Sequence, residues 1–172
     1  MFTTKGITDG VGESKYIAPG VHVVTITKIE GFTPEGKSPY VRFTFADSTG
    51  KTVDSDFFFS ENATETSLKK IKHIATKIVT EGQVDSINVA TVGEYAYALS
   101  KLLTGKAVKI KFRGKEIAGK DGKNNWFKAE IGLPKFAEKI TENTLTFNPD
   151  KDFIKLSSVT STPATVTNDL PF

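Results

Sequence analysis

The stretch that decides the reading of this chain is Lys106–Ile131, K-A-V-K-I-K-F-R-G-K-E-I-A-G-K-D-G-K-N-N-W-F-K-A-E-I. Val108, Ile110 and Phe112 alternate with Lys109, Lys111 and Arg113. A period of two puts successive side chains on opposite faces of a strand, so the first set is expected against a core and the second outward. Phe127, Ala129 and Ile131 alternate in the same way with Trp126, Lys128 and Glu130. The Gly- and Lys-rich segment between them, with Lys115, Lys120 and Lys123, reads as the connecting loop of a β-hairpin. From Lys106 to Lys128 there are eight cations against two anions, in a chain whose whole formal charge is only +3. A cationic strand face that also carries a Trp suits a polyanion with stackable bases.

Working outward, the 172 residues accommodate one domain of ordinary size with a tail. No apolar run approaches the roughly 20 residues that span a bilayer, and the first residues hold no apolar signal segment. A cytoplasmic protein with no membrane partner is expected. With no cysteine and only His22 and His73, disulfides and thiolate metal sites are excluded. No Ser/His/Asp or paired-carboxylate arrangement stands out, so the chain is read as a non-enzyme without cofactor. Asp54 and Asp56 share a strand face, yet lysine partners would account for them without a metal ion.

Residues 1–19 are rich in Gly, Thr and Ser and read as an N-terminal arm, anchored by Tyr16 and Ile17. Val21–Glu30 is a β-branched strand whose doubled Val23-Val24 hints at a bulge. A turn carrying Phe32, Pro34 and Lys37 leads to Pro39–Asp47, where Val41, Phe43 and Phe45 alternate with Tyr40, Arg42 and Thr44. Asp47-Ser48-Thr49-Gly50 turns the chain into a third strand, Lys51–Ser60. Phe57 and Phe59 are assigned to its core face, Asp54, Asp56 and Phe58 to the other. The period then lengthens: Leu68, Ile71, Ile74, Ala75, Ile78 and Val79 predict a helix ending before Gly82, capped by Ser60 or Asn62, with lysines along its outer face. Thr91 and Glu94 form a capping box for a second helix, Val92–Leu103. Beyond Leu133-Pro134 the period fades, with a helical turn or two expected over Lys135–Thr141. From about Thr144 the chain is Thr-, Ser-, Asn- and Pro-rich, and Ser157–Thr167 reads as a flexible linker.

Three meandering strands, a helix, a helical insertion and a closing hairpin predict a mainly β protein with some helix. The specific expectation is an OB-fold, a five-stranded antiparallel Greek-key barrel with a helix between strands 3 and 4. It would span residues 20–133, followed by a 134–172 tail; an antiparallel sheet covered by two helices is the alternative. An OB barrel binds through strands 2 and 3 and the flanking loops, which points to Phe32, Lys37, Tyr40, Arg42, Phe58, Lys115, Lys120 and Lys123. These join Lys109, Lys111, Arg113, Trp126 and Lys128 as candidate single-stranded DNA contacts. Charge alone would equally fit a solvated strand face whose lysines deter edge-to-edge aggregation. Outward aromatic side chains favour binding, since exposed rings stack on bases without demanding a sequence.

The chain ends in Asp169-Leu170-Pro171-Phe172, which has the form of a tethered peptide ligand. With this terminus, the strand and helix order from Gly20 to Ile131 and the basic-aromatic hairpin, the sequence resembles OB-fold single-stranded DNA-binding proteins, especially the compact versions of bacteriophages. Bacterial members close a disordered tail with Asp-Ile-Pro-Phe, which recruits replication and repair enzymes. The resemblance therefore implies a protein that coats single strands during DNA replication, recombination or repair. It also implies a docking role for Asp169, Leu170, Pro171 and Phe172. Here the tail is nearly neutral where the family's is strongly acidic, and the insertion between Glu81 and Lys106 is absent from minimal bacterial members. A β-rich virion or adaptor subunit, or an RNA-binding OB module, would share much of the same pattern.

Overall fold

The computed structural model describes residues 3, 14–120, 122, 124–132 and 134–156. The candidate contact Lys123 and the docking residues Asp169, Leu170, Pro171 and Phe172 lie outside the described residues, as does most of the N-terminal arm.

The chain is mainly β with some helix. β1 (Gly20–Phe32), β2 (Tyr40–Ala46) and β3 (Thr52–Phe58) form an antiparallel meander, followed by α1 (Thr64–Ala75), α2 (Glu81–Asp85) and α3 (Val92–Leu103). β4 (Ala107–Ile117) and β5 (Trp126–Ile131) are the hairpin, and the short elements β6 (Ala137–Glu138), α4 (Pro149–Asp152) and β7 (Phe153–Ile154) follow it. The sheet runs in the order β3-β2-β1-β4-β5, with β6 and β7 both pairing β4. Among the described residues no ladder joins β3 to β5, so the sheet is open. Residues 15–17 occupy part of β3's outer edge: the amide of Thr52 donates to Lys15 and that of Ile17 to Thr52. Ile17 is buried there as expected of an anchor, whereas Tyr16 is exposed.

β1 is long enough to serve two neighbours. Its first half pairs with β4, from Gly20 opposite Phe112 to Thr25 opposite Ala107, and its second half pairs with β2. A register shift between Ile26 and Lys28 separates the halves. Buried positions change phase there, from Val24 and Ile26 to Ile29. The extra residue turns the strand so that both halves keep an apolar face inward. The bulge thus lies a few residues beyond the Val23-Val24 pair, where Val24 is buried and Val23 exposed.

Phe43, Phe45 and Phe112 are fully buried, with Phe45 tilted against Phe43 and edge-on to Phe112, and they close the core with Ile26, Ile71, Ile74, Leu99 and Ile110. α3 begins and ends where its capping box and following glycine predict, with the Glu94 amide donating to Thr91 Oγ1. It lies close against β1 because residue 31 is glycine: a Cβ there would sit 3.0 Å from Gly93 Cα. The first helix stops earlier than its apolar pattern suggests. α1 ends at Ala75, and its N-cap is Ala63, which makes no side-chain cap bond, rather than Ser60 or Asn62. Thr80 and Gln83 form a second capping box that starts α2, so Gly82 lies inside a helix.

The largest departure from expectation follows Leu133. Lys135–Thr141 contains strand β6 instead of a helical turn, and Phe136, Ala137, Glu138 and Asp152 are buried. β6 continues the β5 edge of β4, with Ala137 opposite Ile110, while β7 runs parallel to β4 with Phe153 opposite Gly114. The pairings are too short for a periodic signal, but through β6 and β7 residues 134–156 of the expected tail pack on the sheet. The expected linker Ser157–Thr167 lies outside the described residues. No helix among the described residues is long and apolar enough to cross a membrane.

Candidate nucleic-acid interface

The register of β1, β2 and β3 builds the outward face row by row. Phe32 stands opposite Tyr40 and Tyr40 opposite Phe58, so three rings from three strands form one row. Phe32 and Tyr40 are stacked at 4.9 Å with 17° between their planes, and Phe58 follows at 5.2 Å. Phe58, at the end of the row, is 45% exposed. The next row is Glu30, Arg42 and Asp56. Arg42 forks onto Asp56, with Nε 2.7 Å from Oδ1 and Nη2 2.9 Å from Oδ2. That bond raises the guanidinium pKa still further. The same guanidinium lies 5.3 Å from the Phe32 ring centre and 5.5 Å from that of Tyr40. Arg42, expected to meet phosphate, thus holds the aromatic row in place and has its donors turned to Asp56. Asp54 accepts from the Thr44 hydroxyl, so these two aspartates pair with β2 and not with lysines.

Between β3 and β5 lies a cleft of about 810 Å3. Phe58 and Arg42 contribute to one wall, Trp126, Phe127 and Lys128 to the other, and residues 14 and 16–19 also line it. Trp126 is 51% exposed. Phe127, expected in the core, is partly exposed here, with its ring 4.6 Å from that of Phe153. Alternation alone could not reveal this, because it depends on where β7 comes to rest. Tyr16, read from sequence only as an anchor, Lys70, one of the lysines on the outer face of α1, and Lys51, which carried no signal, also line the cleft. Its cations are Arg42, Lys51, Lys70 and Lys128, against Asp54, Asp56 and Glu130. Beside it, Lys128 stands directly opposite Lys115 across the β4–β5 ladder. Like charges facing each other in a sheet are unfavourable unless something anionic comes between them. Neither makes an ion pair among the described residues. Lys37, in the β1–β2 loop, and Lys120, in the β4–β5 loop, are exposed.

The other three predicted cations occupy a different setting. Lys109, Lys111 and Arg113 do point away from the core, but residues 138–152 lie over them. Lys109 Nζ is 3.7 Å from Glu138, bonds Asn143 Oδ1 at 2.7 Å and also reaches the carbonyl of Glu142. Asp152 lies 3.3 Å from Lys111 and 3.9 Å from Arg113. Both carboxylates are nearly inaccessible. Burial pushes Glu138 upward, but the Thr144 hydroxyl and amide, the Leu145 amide and Lys109 outweigh it and hold the carboxyl below its ordinary value. Asp152 is lowered against the same opposing burial by the Asn148 amide, Lys111 and Arg113. Two carboxylates thus offset most of the charge of three cations inside the protein, which gives three of the hairpin's eight cations a structural role.

No family model matches the sequence. No curated protein is significantly similar to it either. The chemistry of the surface therefore has to speak for itself. It offers a hydrophobic and π-rich row ending at a cleft, a Trp across that cleft, and lysines along its rim. Among the described residues no three His, Asp or Glu side chains gather as a metal site would require.

Proposed function

We propose that this protein is a non-enzymatic single-stranded DNA-binding protein that coats exposed strands during replication, recombination or repair. The observation that carries the reading is the ring row Phe32–Tyr40–Phe58 leading to the cleft whose opposite wall is Trp126. Bases stack on such rings for about 1–3 kcal/mol each without sequence preference, while lysines follow the phosphates. Lys128, Lys115, Lys51 and Lys70, with Lys37 and Lys120 on the adjoining loops, supply that charge. Lys109, Lys111 and Arg113 are left out of the contact surface.

The strand order β3-β2-β1-β4-β5, with α1 between β3 and β4, supports an OB-type architecture in which residues 14–19 occupy part of the seam that a closed barrel would seal. The terminal Asp169-Leu170-Pro171-Phe172 is proposed to dock replication or recombination proteins, on the strength of its sequence alone. A titration of oligo-dT while following Trp126 fluorescence tests the binding reading. Quenching is expected, with an affinity that falls steeply as salt rises, because neutralised phosphates release counterions. A protein that gives no signal with DNA or RNA, and no salt-dependent retention on either, would instead be a structural or assembly subunit.

A further inference from the structure

α1 borders two concavities. Lys70 lines the cleft described above, and Lys69, Lys72, His73 and Lys77 line a second one of about 820 Å3, together with Thr80 of the α2 cap and Lys139 after β6. Two of these lysines are already balanced, Lys69 by Glu65 at 2.7 Å and Lys72 by Glu81 and Asp85 at 2.9 Å each. Lys77 and Lys139 make no ion pair among the described residues.

His73 adds an independent element. Its Nε2 accepts from the amides of Phe136 at 3.4 Å and Ala137 at 3.2 Å. A ring nitrogen that accepts two amide protons carries none itself, so the neutral imidazole has its proton on Nδ1. Burial, with Lys77 and Lys135 nearby, lowers the His73 pKa and favours that neutral form. Nδ1–H has no acceptor among the described residues. The concavity is thus lined by two lysines without counterions and by a neutral histidine whose Nδ1–H is an available donor, residue types suited to the oxygens of a phosphate.

We propose that this concavity is a second phosphate-binding site, which takes a backbone phosphate of the same DNA strand after it leaves the aromatic cleft and passes α1. The inference rests on the reading of the cleft as a single-strand site, and it lengthens the footprint of that site. A strand long enough only for the ring row would not reach it; one that crosses a helix about 10 Å wide would.

The test compares the parent with a Lys77→Ala/Lys139→Ala variant, and with Lys101→Ala/Lys151→Ala as a control of equal charge change. Each is titrated with oligo-dT of about five nucleotides, near one per ring, and of about twenty, beyond the roughly 4–16 that one OB fold occupies. The short oligomer is expected to bind the parent and the Lys77/Lys139 variant equally. For the long one the variant should bind about tenfold more weakly, with a log–log salt slope shallower by roughly 0.7, the value for one lost phosphate contact. The control should stay at parent values. Equal long-oligomer affinity and slope in parent and variant would overturn the proposal while leaving the cleft reading intact. If the parent binds no oligomer of either length, the cleft reading fails and the strand continuation with it. Titrating inorganic phosphate while following the His73 ring by NMR then judges the site itself. A saturable shift lost in the variant supports a phosphate site for a free ligand, and no shift removes the site altogether.

Discussion

Phe136→Ala tests whether residues 134–156 are part of the folded domain. Phe136 is 1% exposed, and its ring packs edge-on against His73 of α1 at 4.7 Å. Its carbonyl accepts from the Lys111 amide at 2.8 Å, so the side chain is anchored to β4 by its own backbone. Truncation removes a buried aromatic side chain and leaves a cavity bounded by α1 and the sheet. Such changes cost about 3–5 kcal/mol, because the lost transfer energy and the unfilled space add. For a chain of this size each kcal/mol moves Tm by roughly 2–4 °C, so a fall of about 6–20 °C is expected. Urea unfolding gives the same quantity as a lower midpoint at unchanged slope. Ile140→Ala, in the same segment but 50% exposed, is the control and should stay within about 0.5 kcal/mol. If Phe136→Ala unfolds with the control, the segment is not packed as described. The pairing of β4 cations with Glu138 and Asp152 would then have no basis.

Three further outcomes follow from the same geometry. Lys109→Ala should lower stability while leaving oligo-dT affinity at parent level, whereas Lys128→Ala should do the reverse, with a salt slope shallower by roughly 0.7; equal effects of the two on affinity would return Lys109 to the contact surface. Glu138 and Asp152 have carboxyls lowered from ordinary values of 4.5 and 3.8, so each stabilises the fold fully above that value and loses its contribution as pH falls through the folded one. Urea midpoints measured downward from about pH 5 should drop, and a Glu138→Gln/Asp152→Asn variant should show a flatter profile from a lower plateau. Gly114→Ala would place a Cβ 2.5 Å from the Phe153 ring, so overpacking of about 1–3 kcal/mol is expected in thermal melts.

Much of this protein is written locally. The alternation in Val41–Phe45 and Val108–Phe112, the helical spacing of Leu99 and Leu103 and the Thr91/Glu94 box each depend on neighbours a few residues away, and the structure follows them. The apparent helix up to Val79 misled because apolar spacing continues through a turn, although Thr80 and Gln83 were there to mark the restart. The ring row was half legible: the outward positions of Tyr40 and Phe58 came from alternation, but Phe32 joining them needed the β1–β2 register.

The hairpin at 106–131 shows where sequence stops. Its period alone determined that Lys109, Lys111, Arg113 and Lys128 leave the core, whereas Lys115, read as part of the loop, lies in β4 opposite Lys128. What each of them meets was decided by tertiary structure. Glu138 and Asp152 come from a segment with little periodicity, about thirty and forty residues along the chain, and they face β4 only because β6 and β7 add to its two edges. Alternation reports the side of a strand on which a charge lies. Whether that side holds water, a buried carboxylate or a groove depends on distant chain that no local pattern encodes.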